Sequence, residues 1–244
     1  MYQLNFQRGS VSEFEEFLES VSERLATTPN VKTLVHLYND TAQRDASDEF
    51  VKAVKAHLPD VPYVGASTSG NICDGALVVG EAPNVSATVN VFEDPTAHVE
   101  VHQFPLNRDN RVEIARSINA LVDERPWVKA IEVNTTLIDV GMADFCDDLC
   151  SLRKGIVMFG GGALTSESFN MWGGLPYVFS SAGENSGASI VLVLYGGDNF
   201  HAMVETIYGW KPLGRKMMIT RARGPVLYEL EGVPAFELLP LPRA

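Results

Sequence analysis

Two stretches of this chain repeat one plan, and that plan restricts the folds open to it. Residues 31–38 are short, apolar and rich in β-branched side chains, which reads as a buried strand. Residues 47–58 put Phe50, Val51, Val54 and Leu58 on one helical face before Pro59 stops the helix, and residues 61–66 form a second short strand. The same order returns in residues 127–133, 142–152 and 155–159. Each unit is a βαβ crossover of about 30 residues, which sets its two strands parallel. The first unit runs out into Ser67, Thr68, Ser69 and Gly70, the second into Gly160, Gly161 and Gly162. Ligands of open α/β sheets bind at the carboxyl ends of strands, so the two Gly-rich ends are expected to face a shared cleft.

The rest of the pattern fits around these units. Ser12 and Glu15 form a capping box ahead of Phe14, Phe17, Leu18, Val21 and Leu25 at helical spacing. Asp74-Gly75 marks a hairpin between residues 71–73 and 76–79. Strands are expected over 85–92 and 97–104 and a helix over 112–121. From residue 177 onward the pattern is mostly β, over 177–180, 188–195, 200–208, 216–221 and 226–230, with Arg223-Gly224-Pro225 turning the last pair. The expected class is α/β, with α+β the alternative. The βαβ units form a mixed sheet with helices packed on it, and a more β-rich C-terminal region follows. A helix start over 233–239 stops at Ala244, so the sequence reads as part of a longer protein or as a short natural variant.

Composition narrows the partners. Hydrophobic residues make up 45% of the 244, enough for a sizeable core. Nineteen Lys and Arg against 31 Asp and Glu give a net charge of -12, which disfavours nucleic acid and anionic membrane. Cys73, Cys146 and Cys150 form no paired framework, and the N-terminus lacks a basic segment followed by an apolar run. A reducing, cytoplasmic setting is expected.

The candidate chemistry lies in the Gly-rich ends. The run from Gly65 to Gly70 offers backbone N–H groups and the hydroxyls of Ser67, Thr68 and Ser69, which suit a carboxylate or amide; the competing reading is a tight turn. Asn134 adds a polar group at the same sheet edge, against the reading that it caps a turn. Gly160, Gly161 and Gly162 permit close approach of backbone, or simply a tight connection. No Gly-Lys-Ser/Thr follows, and Ser67 lacks the setting of a nucleophile elbow. A hydrolase using Ser67 or Cys73 is the enzyme alternative, but none of the five His lies in a partner motif. His98, Glu100 and His102 share a strand face at a spacing too long for easy metal ligation, so a solvated face is expected. Cys146 and Cys150 read as core beside Met142, Phe145 and Leu149. Trp172 is a candidate pocket wall. No catalytic set, metal site or cofactor is expected, and a protein-interaction scaffold is the remaining alternative.

Four segments together resemble the FIST family of intracellular sensory domains: Val64-Gly65-Ala66-Ser67-Thr68-Ser69-Gly70-Asn71-Ile72, Phe159-Gly160-Gly161-Gly162-Ala163, Gly209-Trp210-Lys211-Pro212-Leu213-Gly214, and Tyr228-Glu229-Leu230-Glu231-Gly232-Val233-Pro234-Ala235. Their order and spacing carry the resemblance. It implies an N-terminal FIST half over residues 1–205 and the start of the C-terminal half over 206–244. It also implies a small polar ligand, an amino acid among the candidates, and a signalling output such as a diguanylate cyclase, chemotaxis or kinase module, fused or docked. Two positions depart from the family pattern. Asn71 stands where an acidic residue is common, and Leu164-Thr165-Ser166 replaces the usual acidic residue after Gly162. Oligomeric state stays open.

Overall fold

The strands over residues 32–39, 128–135 and 189–196 carry apolar side chains on both faces, so each sheet needs a cover on each side. A computed structural model describes residues 1–7, 9–39, 44–73, 75–78, 85–136, 142–149, 154–165, 175–205, 209, 211, 214–223 and 226–238. The chain runs β1 (Tyr2–Phe6), α1 (Val11–Ala26), β2 (Lys32–Asn39), α2 (Arg44–His57), β3 (Tyr63–Ser67), the hairpin β4 (Asn71–Cys73) and β5 (Ala76–Val78), β6 (Val85–Phe92) and β7 (His98–Pro105). It continues through α3 (Arg111–Asp123), β8 (Val128–Thr135), α4 (Met142–Asp148), β9 (Val157–Gly162), β10 (Val178–Ser180), β11 (Gly183–Ser186) and β12 (Ser189–Gly196). The C-terminal elements are β13 (Ile219–Arg223), β14 (Val226–Leu230), β15 (Val233–Pro234) and α5 (Ala235–Leu238).

The fold is α/β, and its strands form two principal sheets where a single mixed one was expected. One has the order β1-β6-β2-β3-β10-β11 and the other β7-β12-β8-β9. Each contains one parallel pair, β2 with β3 and β8 with β9, and those pairs are the two βαβ units. The antiparallel strands β6 and β12 pair with β2 and β8, so each unit is flanked within its own sheet. The βαβ pattern dictates parallel pairing inside a unit and is silent about pairing between units.

The sheets stack face to face between two helical layers. Phe14, Leu18 and Val21 of α1 and Phe50 and Val54 of α2 pack on Val35, Leu37, Val89 and Val91 of the first sheet. Ile114, Ile118 and Val122 of α3 and Phe145 of α4 pack on Ile131, Ile190, Leu192 and Leu194 of the second. Between the sheets lie Leu34, Val64, Ala66, Ala130, Val191 and Val193. Each buried Val or Leu among them contributes about 1.5–3 kcal/mol, and each Ala less. The alternation is strict along β2: Val35 and Leu37 face the helices, Leu34 and Tyr38 the other sheet.

Several local expectations need correction. The capping box of α1 is Ser10 with Glu13, not Ser12 with Glu15. The Ser10 hydroxyl accepts from the Glu13 N–H at 3.2 Å, and the Glu13 carboxylate accepts from the Ser10 N–H at 2.7 Å. The sequence holds two overlapping Ser-x-x-Glu patterns, and the helix takes the longer run. Cys146 is exposed; Phe145 and Leu149 fill the buried positions of that turn. Residues 200–205 form no strand, whereas β1 and β11 are strands the sequence did not announce. Glu100 is not simply solvated: it accepts from Arg125 at 2.6 Å and pairs with His102 at 3.1 Å. Trp172, Cys150, Trp210 and the Gly224-Pro225 turn lie outside the described residues. Among the described residues, β13, β14 and β15 pair only with one another, leaving Ile219, Val226, Tyr228 and Phe236 exposed. No helix among the described residues is long and apolar enough to cross a membrane.

Candidate functional site

β3 and β9 belong to different sheets, yet their carboxyl ends are joined. The Ala163 N–H donates to the Thr135 carbonyl at 2.7 Å, and the Leu164 N–H donates to the Ser67 carbonyl at 3.0 Å. The chain leaving β9 is thus tied first to its own sheet and then to the end of β3. Around this join opens a cleft of about 290 Å³, lined by Tyr38, Ser67, Thr68, Ser69, Gly70, Asn134, Gly161 and Gly162, with Ala66, Ala163 and Leu164. The structure brings together all of the expected ligand-contact residues except Gly160. Gly160 has φ +135° and a missing side chain that would run into the Val133 backbone, so glycine there is what lets β9 lie against β8. With Gly161 and Gly162 it borders an apolar cavity of about 320 Å³ beside Phe145, Leu149 and Met158.

Most polar groups at the cleft already have protein partners. Ser67 is 1% exposed, and its hydroxyl accepts from the Tyr177 N–H at 3.0 Å. It holds β3 to the segment entering β10, and no base is among its partners. Thr68 donates its hydroxyl to Asn71 Oδ1 at 2.7 Å and its N–H to the Asn39 carbonyl at 2.8 Å. Asn71 in turn donates from Nδ2 to the Tyr38 carbonyl at 3.1 Å. A carboxylate at position 71 could accept from Thr68 but could not donate to Tyr38, which accounts for the amide there. The Ser69 hydroxyl is exposed and bonds no described residue. Cys73's side chain lies outside the described residues.

A second polar cluster, which the sequence reading missed, sits deeper between the sheets. Glu132 of β8 points across to β2, where His36 Nε2 lies 2.9 Å from Oε2 and 3.2 Å from Oε1. Tyr195 of β12 donates its hydroxyl to Oε2 at 2.6 Å, and Asn134 donates Nδ2 to Oε1 at 2.9 Å. On the far side of the imidazole, Asn90 Nδ2 meets His36 Nδ1 at 2.9 Å, and Gln3 Nε2 donates to Asn90 Oδ1 at 2.8 Å.

Residues 33–233 match the FIST N domain family. The chain belongs to that family. The match begins in β2, takes in both βαβ units and reaches β15. FIST domains are sensory domains of signalling proteins, a role that is not catalytic. No curated protein matches the chain.

In this FIST N domain the deeper cluster centres on the Glu132 carboxylate. His36 bridges it to the first sheet, with Nε2 facing Glu132 and Nδ1 facing Asn90. Burial pushes the Glu132 carboxyl up, but the His36 hydrogen bond and charge, with the bonds from Tyr195 and Asn134, outweigh it and hold the group below the usual carboxylate range. Burial and the charge of Glu132 push the Tyr195 phenol far up, so it stays a donor. Burial first, and then Glu132, raise Tyr38 as well. The signal in the sequence was present: His36 is in phase with Leu34, and Glu132 with Ala130, on the strand faces that meet between the sheets. An ionisable residue in phase with inward apolar residues needs a buried partner.

Proposed function

We propose that this FIST N domain is a cytoplasmic sensor module whose residues 1–205 bind a small polar metabolite, an amino acid being the first candidate, in the cleft between the Gly-rich ends of β3 and β9. The observation that supports this reading is the convergence of those two ends, from two sheets, on one cleft. A molecule in that cleft touches both sheets at once. Binding therefore favours one relative arrangement of the sheets over others, and a signalling output, such as a diguanylate cyclase, chemotaxis or kinase module, fused or docked, reads the shift. The Ser69 hydroxyl, the Asn134 carbonyl oxygen and the backbone at Gly70, Gly161 and Gly162 are the contacts we assign to the ligand. Asn134 commits its Nδ2 to Glu132, so its oxygen is the group it can offer.

The test is a thermal-shift titration of the full chain with amino acids and other small polar metabolites, beside the variant Gly161→Leu. A Cβ at Gly161 meets no described atom within 4 Å, so the variant is expected to fold and to crowd the space that Gly161 lines. A ligand that stabilises the parent and not the variant supports the site. Stabilisation that survives Gly161→Leu, or none from any compound, overturns it.

A further inference from the structure

The Glu132 cluster forms the polar floor of a cavity that the Gly-rich cleft does not include. This cavity holds about 520 Å³ between the sheets, on the other side of Tyr38, which lines both. Three properties of its lining point the same way.

The first is charge. Glu132 is the acidic group of the network and is held ionised there. His36 Nε2, Tyr195 Oη and Asn134 Nδ2 lie 2.9, 2.6 and 2.9 Å from its carboxylate oxygens. Among the described residues the lining contains no Lys or Arg. Its other groups able to carry positive charge are His201, which is exposed, and the Met1 amino group, which is 3.5 Å from Glu93. The carboxylate is about 7% exposed, so its field is weakly screened within the cavity.

The second property is aromatic walling. Tyr195 is ringed by Phe92, Phe159 and Phe200, with centroids 6.1, 6.2 and 6.0 Å away, and all four line the cavity. Aromatic faces around a buried anion attract a poorly hydrated cation through the ring quadrupole. The third is the make-up of the described lining: a ligand carboxylate would meet Glu132 and no described guanidinium or lysine ammonium.

We infer that the cavity over His36, Glu132 and Tyr195 is a binding site for a compact organic cation that carries no carboxylate of its own. The site goes beyond the sensor reading of the Gly-rich cleft and does not depend on it.

The experiment titrates the full chain with choline, with its uncharged isostere 3,3-dimethylbutan-1-ol and with its carboxylated relative glycine betaine, by calorimetry or ligand-observed NMR. Choline is expected to bind at least about tenfold more tightly than either comparator. Glu132→Gln keeps the side-chain shape and removes the charge, and is expected to weaken choline by about tenfold. Phe200→Leu leaves the buried network intact and weakens it in the same direction, which covers the case in which Glu132→Gln disturbs folding. Equal affinity for choline and its isostere, choline binding unchanged by either variant, or no choline binding up to about 10 mM overturns the proposal. Choline binding lost in Gly161→Leu but kept in Glu132→Gln places the cation in the Gly-rich cleft and also counts against this site.

Discussion

His36 and Glu132 lie 96 residues apart in the chain and meet at 2.9 Å, each reaching from its own sheet into the space between them. The contact joins the two halves of the sandwich by a polar bond in a layer lined mainly by apolar side chains. Glu132 accepts from three side chains, so Glu132→Ala leaves three buried donors unpaired. The expected loss is about 3–5 kcal/mol, while Glu132→Gln loses less because its carbonyl oxygen still accepts. Urea denaturation of the three proteins checks the order.

The same carboxylate sets the acid limb of stability. Its folded pKa lies below its unfolded value. The group therefore stabilises the fold at pH above the ordinary carboxylate range and loses that contribution as pH falls through that range toward the depressed value. Denaturation midpoints between neutral pH and the acid range should fall more steeply in the parent than in Glu132→Gln. Equal slopes would show that other carboxylates govern the acid limb.

The glycine triplet should divide by position. Gly160→Ala sets a methyl group against the Val133 backbone at a φ of +135°, and should lose about 1–3 kcal/mol. Gly161→Ala, one residue on, points into open space and should change stability by less than about 0.5 kcal/mol. Thermal denaturation of the pair distinguishes a packing glycine from a cleft glycine.

Ser67→Ala removes the hydroxyl that accepts from the Tyr177 N–H and leaves that donor buried. A loss of about 1–3 kcal/mol is expected, with no change in labelling by a serine-reactive probe, because Ser67 is a structural tie. Probe labelling of Ser67 in the parent, lost on unfolding, would revive the hydrolase reading.

The helix–strand order of both βαβ units was legible because each rests on local periodicity and on Pro or Gly stops. The convergence of Ser67 and Gly162 was also legible, since both end the second strand of such a unit. What escaped was pairing at long range. Residues 2–6 alternate Tyr, Leu and Phe with Gln and Asn, a strand pattern too short to stand out at the chain's start, and they take that role by lying against β6. The separation into two sheets depends on which neighbours β6 and β12 take, and no local pattern encodes that choice. His36 and Glu132 escaped for the same reason: each looks like an odd residue in an apolar strand until the other sheet supplies its partner. In the Ser67–Gly70 turn the Ser67 hydroxyl accepts from Tyr177 and the Thr68 hydroxyl donates to Asn71, so both are committed to partners within the first sheet and its neighbouring hairpin.

The cleft between the Gly-rich ends is the central claim, and amide chemical-shift mapping tests it most directly. An isotopically labelled full chain is titrated with any amino acid or polar metabolite that raises its melting temperature. The expected result is a set of shifts concentrated at Ser69, Gly70, Asn134, Gly161 and Gly162 and absent in Gly161→Leu. Shifts confined to the outer helices α1 and α3 or to the C-terminal hairpin, with these residues unmoved, would contradict it.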